Sequence, residues 1–175
     1  LDHFDVSAQD RICMDVGSST GGFTQVLLAR GAAHVYAVDV GRDQLHATLR
    51  KDHRISVMES TDARSLTRAL VPQAPSLVVC DASFISLRLV LSRPLDLAAE
   101  RADLIALIKP QFEAGPARVK KGVVRDADVH AEVCEDIRGF IEGLGWRVRG
   151  LIPSPIEGGD GNREFLIAAT RGDLP

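Results

Sequence analysis

The stretch Asp15-Val16-Gly17-Ser18-Ser19-Thr20-Gly21-Gly22-Phe23-Thr24 follows the apolar run Ile12-Cys13-Met14 and precedes a segment of helical period. A second apolar run then ends in an acid, Val35-Tyr36-Ala37-Val38-Asp39. Strand, glycine turn, helix and acid-tipped strand make the βαβ unit that grips a nucleoside at the carboxyl ends of parallel strands. Glycines admit backbone conformations and close approaches that a Cβ blocks. An acid ending the second strand can accept hydrogen bonds from both ribose hydroxyls.

The remainder of the chain repeats the alternation, so a mostly parallel sheet covered by helices on both faces is expected. Strands are read at Arg11–Val16, His34–Val40, Ile55–Glu59, Leu77–Asp81, Leu104–Lys109, Arg147–Ile152 and Phe165–Ala169. Helices are read at Gly22–Arg30, Gln44–Lys51, Asp62–Leu70, Leu87–Glu100 and Ala127–Gly143. Pro153–Arg163 is too short for a crossover helix, which predicts an antiparallel last strand. A length of 175 residues suits one such domain.

Composition narrows the function classes. No run of about 18 apolar residues and no signal-peptide pattern occur, so a cytoplasmic protein that does not enter the membrane is expected. The three cysteines, Cys13, Cys80 and Cys134, lack any CxxC spacing, and the five histidines are scattered, so neither a disulfide frame nor a metal site is expected. A formal charge of −3 argues against bulk electrostatic capture of nucleic acid. Locally, however, Arg118, Lys120, Lys121 and Arg125 cluster in the segment Glu113–Arg125, read as an exposed, mobile loop that could meet RNA. The chain begins Leu1-Asp2-His3-Phe4, as though cut from something longer.

Three ligands compete for the glycine turn. A phosphate-binding P-loop needs a lysine where Phe23 follows Gly22, and a dinucleotide turn needs a glycine two places after Gly17, where Ser19 stands. S-adenosylmethionine fits better: it has no pyrophosphate to seat, and Asp15 can help hold its amino-acid end. An oxidoreductase turn and a purely structural turn are the competing readings.

Three more polar residues sit where strand ends meet the open edge of the sheet: Asp81 after Leu77-Val78-Val79-Cys80, Lys109 after Leu104–Ile108, and Glu164 before Phe165. A lysine between carboxylates suits methyl transfer to a hydroxyl, which it can orient and, if neutral, deprotonate. Neighbouring acids favour the charged lysine. Lys109 is therefore assigned first to orienting the hydroxyl. Asp81-Ala82-Ser83-Phe84 lacks the Asn/Asp-Pro-Pro-aromatic turn of amino-methyltransferases, and Cys80 and Cys13 fall inside apolar strands rather than in the exposed loop that ring-carbon transfer requires.

The blocks DVGSSTGGFT, VYAVDVG, CDASFISL, LIKPQFEAG, KKGVVRD and GNREFL, in this order over nearly the whole chain, resemble the methyltransferase domain of the TlyA proteins, also called hemolysin A, within the FtsJ-like ribosomal RNA methyltransferases. The resemblance implies a class I S-adenosylmethionine-dependent fold and 2′-O-methylation of cytidine ribose in ribosomal RNA or ribosomal subunits. It implies a catalytic Lys-Asp-Lys-Glu set, of which Asp81, Lys109 and Glu164 match the last three members. Nothing in residues 1–10 matches the first lysine, nor does this chain carry the family's small N-terminal RNA-binding domain. A catalytically inert cofactor-binding module is thus the alternative, and the hemolysin label raises a membrane-active one. By position, the cofactor meets Asp15, Gly17, Ser18, Ser19, Gly21, Gly22 and Phe23 in the loop, Asp39 at the ribose, Asp62 near the adenine amine, and Asp81.

Overall fold

The computed structural model describes residues 1–173. Seven strands, β1 (Ile12–Val16), β2 (His34–Val38), β3 (Ile55–Met58), β4 (Leu77–Cys80), β5 (Ala102–Ile108), β6 (Arg147–Pro153) and β7 (Phe165–Arg171), form one sheet in the order β3-β2-β1-β4-β5-β7-β6. The first five are mutually parallel, and β7 runs antiparallel between β5 and β6, as the short β6–β7 connection predicts. Leu77 through Cys80 are completely buried, which fits a central parallel strand covered on both faces.

Alternation along the strands divides the core into two layers. Met14, Val16, Tyr36, Val78, Leu104 and Ile108 point to the face covered by α3 (Leu87–Val90), α4 (Ser92–Leu97) and α5 (Ala127–Gly143). Cys13, Val35, Leu77, Val79 and Ile105 point to the other, covered by α1 (Gly22–Ala29), α2 (Ala47–Arg50) and the N-terminal segment through Phe4, Val6 and Ala8. The three cysteines are buried and unpaired.

The 17-residue α5 spans the range read from the sequence: Asp126 accepts from the Asp128 N–H at its start, and Gly145 closes its end at φ +86°. Two other helices depart from expectation. Asp62–Leu70 forms only a 3-10 turn, Ala63–Ser65, after which Leu66 is extended (φ −60°, ψ 141°). The Asp62 side chain caps the Arg64 N–H there, an Asx arrangement that competes with helix continuation. Leu87–Glu100 divides into α3 and α4 at Leu91, because Pro94 cannot donate to the carbonyl of Val90 and its ring crowds that position. Between Gln44 and Lys51 only Ala47–Arg50 is helical.

The basic segment is a built structure rather than a loose loop. Lys120 and Val123 exchange backbone hydrogen bonds, and the two residues between them, Lys121 (φ +52°) and Gly122 (φ +78°), both lie in the left-handed region typical of a tight type I′ turn. Buried Asn162, in the β6–β7 connection, secures this turn: its Nδ2 donates to the carbonyls of Gly122 (2.9 Å) and Gly159 (3.0 Å), and its Oδ1 accepts from the Val124 N–H (3.1 Å). His130 of α5 adds a contact to the Val124 carbonyl at 2.8 Å.

Candidate active site

Register brings the functional strand ends together. Val16 pairs with Val38 on one side and Cys80 on the other, so Gly17, Asp39 and Asp81 emerge side by side from the carboxyl edge. The strand order reverses between β1 and β4, the switch point at which ligands bind in open α/β sheets. Two adjoining cavities open there, of about 400 Å³ and about 260 Å³, sharing Gly17, Ser19, Asp81 and Ser83 as walls.

The larger cavity is bordered by Asp39, Gln44, Asp62, Phe84 and Ile85. Asp39 accepts from the Ser19 N–H (2.8 Å) through one carboxylate oxygen and from the Gly41 N–H (2.7 Å) through the other, which presents it at the cavity floor. Asp62 borders the cavity too, yet both its oxygens are engaged by the Arg64 guanidinium, which holds its carboxyl below the usual range. Behind the cavity lining, Glu59 holds the segment that carries Gln44 by accepting from the Leu45 N–H (2.9 Å), the Arg50 side chain (2.5 Å) and the Asp43 N–H (2.5 Å), contacts that lower its pKa to about 2.

The smaller cavity is bordered by Asp15, Ser18, Thr20, Gly22, Phe23 and Lys109. Asp15 is fully buried; Thr24 Oγ1 donates to its Oδ2 at 2.8 Å, while Oδ1 has no partner among the described residues. Burial, aided by the charges of Asp81 and Asp39, pushes this carboxyl up to about 7. Ser18 Oγ is likewise buried and unpartnered among the described residues. Gly21, at φ +104°, opens α1 without any side-chain cap, and Gly22 and Phe23 of its first turn border this cavity.

Lys109 is the best-defined polar contact of the site. Its Nζ lies 2.6 Å from Asp81 Oδ1 and 3.0 Å from Ser83 Oγ, and its side chain is only 11% exposed. Glu164 stands opposite Lys109 on the neighbouring strand, since Ile108 pairs with Phe165, but it borders neither cavity. Its carboxylate is not in ion-pair contact with Lys109; it accepts from Gln111 Nε2 at 3.2 Å. Phe84 stands at the cavity mouth, 89% exposed at φ +63°, with its ring centroid 5.0 Å from that of Phe112. Cys80 and Cys13 are closed off as nucleophiles, because burial pushes each thiol up to about 12.

The four cations proposed from the sequence for RNA contact do not act alike. Arg118 is paired with α5 and its own loop, with Glu132 2.5 Å from its guanidinium and the Ala114 carbonyl 3.1 Å from its Nε. Lys120, Lys121 and Arg125 are exposed and have no ion-pair partner among the described residues. Gln111, Ser83, Glu59 and Asn162 carry no sequence signal that separates them from ordinary polar residues; their roles arise from partners distant in the chain, 53 residues away for Gln111 and Glu164.

The sequence profile of the FtsJ-like methyltransferases matches residues 1–171. The chain is 50% identical over 169 residues to Bacillus subtilis YqxC, covering 95% of this chain and 60% of that protein. It is 45% identical over 168 residues to the 16S/23S rRNA (cytidine-2′-O)-methyltransferase TlyA of Mycobacterium tuberculosis, covering 95% and 63% respectively. Thus the chain spans about three fifths of these relatives' length. A crystal structure from Lactococcus lactis that carries a hemolysin name superposes with a TM-score of 0.95 at 43% identity, covering 98% of this chain and 83% of that one. No helix among the described residues is long and apolar enough to cross a membrane. By the profile match and by these identities, this chain belongs to the FtsJ-like methyltransferases.

Proposed function

We propose that this domain binds S-adenosylmethionine across the two cavities and methylates a ribose 2′-hydroxyl of ribosomal RNA, within ribosomal subunits in the cytoplasm. The observation that carries the cofactor assignment is Asp15: a fully buried carboxylate with one oxygen unpartnered among the described residues, on the smaller cavity, is a receptor for a cationic ammonium group. The uncapped start of α1 and Ser18 Oγ suit the neighbouring carboxylate of the same amino acid. Asp39 suits the ribose hydroxyls, and the larger cavity has room for an adenine beside Asp62 and Ala63. Gly17, shared by both cavities, lets the end of β1 approach the Asp81–Ala82 backbone more closely than a Cβ would allow.

When bound, S-adenosylmethionine supplies a methyl group activated by its sulfonium. The chain's own residues handle the acceptor. With two of its positions directed at Asp81 and Ser83, the Lys109 ammonium can aim a third N–H at the acceptor oxygen and stabilise the negative charge that develops there, while the hydroxyl proton passes to the partly exposed Asp81 carboxylate and from it to water. Glu164 lies across from Lys109 and bounds the same side of the acceptor. Phe84 offers an aromatic face at the mouth against which an unstacked base can lie. The cytidine specificity in the name of the Mycobacterium relative is the natural first candidate for the target base.

Asp15 makes the cofactor test specific. Its carboxyl, protonated below about 7, must ionise to pair with an ammonium, so binding expels a proton near neutrality and affinity rises with pH through that range, levelling above it. Calorimetry at pH 6.5 in buffers of different ionisation enthalpy is expected to show proton release with S-adenosylmethionine and no binding of NAD. Absence of S-adenosylmethionine binding would sink the assignment, and binding without proton release would remove Asp15 from it.

RNA contact is assigned to Lys120 and Lys121 on the pinned turn, to Arg125 just after it, and to Arg118, whose surface pair with Glu132 leaves its side chain 39% exposed. Reversing Lys120 and Lys121 to Glu is expected to weaken RNA association and to lower the slope of log K against log salt by about 1.5 to 2, leaving cofactor affinity unchanged. RNA binding with an unaltered salt slope would show that the turn faces solvent only.

A further inference from the structure

Gln111 follows Lys109 by two residues, on the 3-10 turn Pro110–Phe112. Its Nε2 donates to Glu164 Oε1 at 3.2 Å, and because a carboxylate only accepts, this contact decides which end of the amide faces Glu164. The other end, Oε1, is buried without a partner among the described residues. Burying an amide oxygen in this way costs stability, so an apolar side chain of the same length would suit the local packing better. The one hydrogen bond the amide makes among the described residues is therefore the one from its Nε2.

Nε2 of Gln111 is the one side-chain donor to the Glu164 carboxylate among the described residues. The backbone around that carboxylate is held closely: the Glu164 carbonyl accepts from the Ser154 N–H at 2.8 Å, and Gly158 lies so near that a Cβ there would overlap Glu164 Oε1. The pairing of Ile108 with Phe165 sets Glu164 beside Lys109, yet nothing in that backbone register chooses the carboxylate's rotamer. We infer that Gln111 is a positioning residue for methyl transfer, which holds the Glu164 carboxylate in its working orientation beside Lys109 through the Nε2 hydrogen bond. This rests on the proposed assignment of Glu164 to the acceptor side of the reaction.

The test compares the parent, Gln111→Met, Glu164→Ala and the double variant for single-turnover methyl transfer to ribosomal subunits, S-adenosylmethionine affinity and thermal stability. Gln111→Met is expected to lower the transfer rate about tenfold while KM for the subunit and the cofactor Kd stay within about twofold, the split expected when orientation alone is lost. Its melting temperature is expected to equal or exceed the parent's, because a buried unpartnered oxygen has been removed. In the Glu164→Ala background the same substitution is expected to have no further effect on the rate. A parent-like rate in Gln111→Met, or an undiminished tenfold loss in the Glu164→Ala background, would overturn the positioning role while leaving the Glu164 assignment standing. A lowered melting temperature accompanying the loss would make Gln111 a structural residue and overturn it equally. If Glu164→Ala transfers methyl as fast as the parent, the Glu164 assignment falls and the role of Gln111 falls with it.

Discussion

Lys109→Met is expected to slow methyl transfer to ribosomal subunits by about 10² to 10⁴, the range for loss of a positioned polar group at a reacting atom. Cofactor affinity is expected to remain within a few-fold of the parent's. The separation follows from what the lysine touches. Its Nζ is bound to Asp81 and Ser83 at the junction of the two cavities, whereas the groups suited to the cofactor's ends, Asp15 and Asp39, make no hydrogen bond to it. Methionine has nearly the same length and removes the charge without opening a large void. Asp81 is 40% exposed, so water can solvate the carboxylate that loses its partner. Single-turnover transfer of a labelled methyl group, set beside calorimetric binding of S-adenosylmethionine, reads both quantities. Unchanged transfer would remove Lys109 from the mechanism, and a collapse of cofactor binding would make it a cofactor ligand instead.

Gly17→Ala is the second large effect, and it arises from backbone geometry. Gly17 sits at φ +78°, and a Cβ there would stand 2.5 Å from the Asp81 carbonyl oxygen, 2.9 Å from its carbon and 3.0 Å from the Ala82 Cα. None of these is the end of a flexible side chain, so the end of β4 must shift. Left-handed backbone at a non-glycine residue costs about 1–2 kcal/mol, and the overlap adds to it, for a total of roughly 2–4 kcal/mol. A chain of this size should lose about 5–15 °C in melting temperature as a result. Since the atoms displaced belong to Asp81, both cofactor affinity and transfer rate are expected to fall, by more than tenfold each. Gly22→Ala is the internal control for stability, because nothing lies within 4 Å of a Cβ at that helical position. Equal melting temperatures for the Gly17 variant and the parent would mean that the loop tolerates a side chain facing β4.

Much of this molecule is legible in its sequence where a property is local. Buried parallel strands announce themselves as unbroken apolar runs, and Leu77–Cys80 and Leu104–Ile108 do so because both faces are covered, whereas the start of β5 at Ala102 and Asp103 is hidden by the acid. The ends of α5 are readable because Asp126 and Gly145 supply its cap and its left-handed exit. Asp39, Asp81 and Lys109 could be picked out because polar residues directly after such runs must emerge at the ligand edge. Helical period misleads at Asp62–Leu70, where an Asx turn ends the helix almost as it begins, and at Leu87–Glu100, where the period outweighed the one residue that breaks it, Pro94. Glycines and charge predict an exposed, mobile loop at Glu113–Arg125, but the order of this segment comes from Asn162, 40 residues beyond Gly122 in the chain. Gln111 and Glu59 were invisible for the same reason: a glutamine or glutamate gains its meaning only when folding brings its partner within reach.

The proposed function can be put to one direct measurement. The purified protein, labelled S-adenosylmethionine and ribosomal subunits lacking the modification are combined, and 2′-O-methyl groups are then mapped along the ribosomal RNA at nucleotide resolution. The account predicts a new methyl group on the ribose oxygen of a discrete cytidine, present with the parent and absent with Lys109→Met. Methyl transfer to a base atom, or none to any ribosomal particle by a protein that binds S-adenosylmethionine, would contradict it.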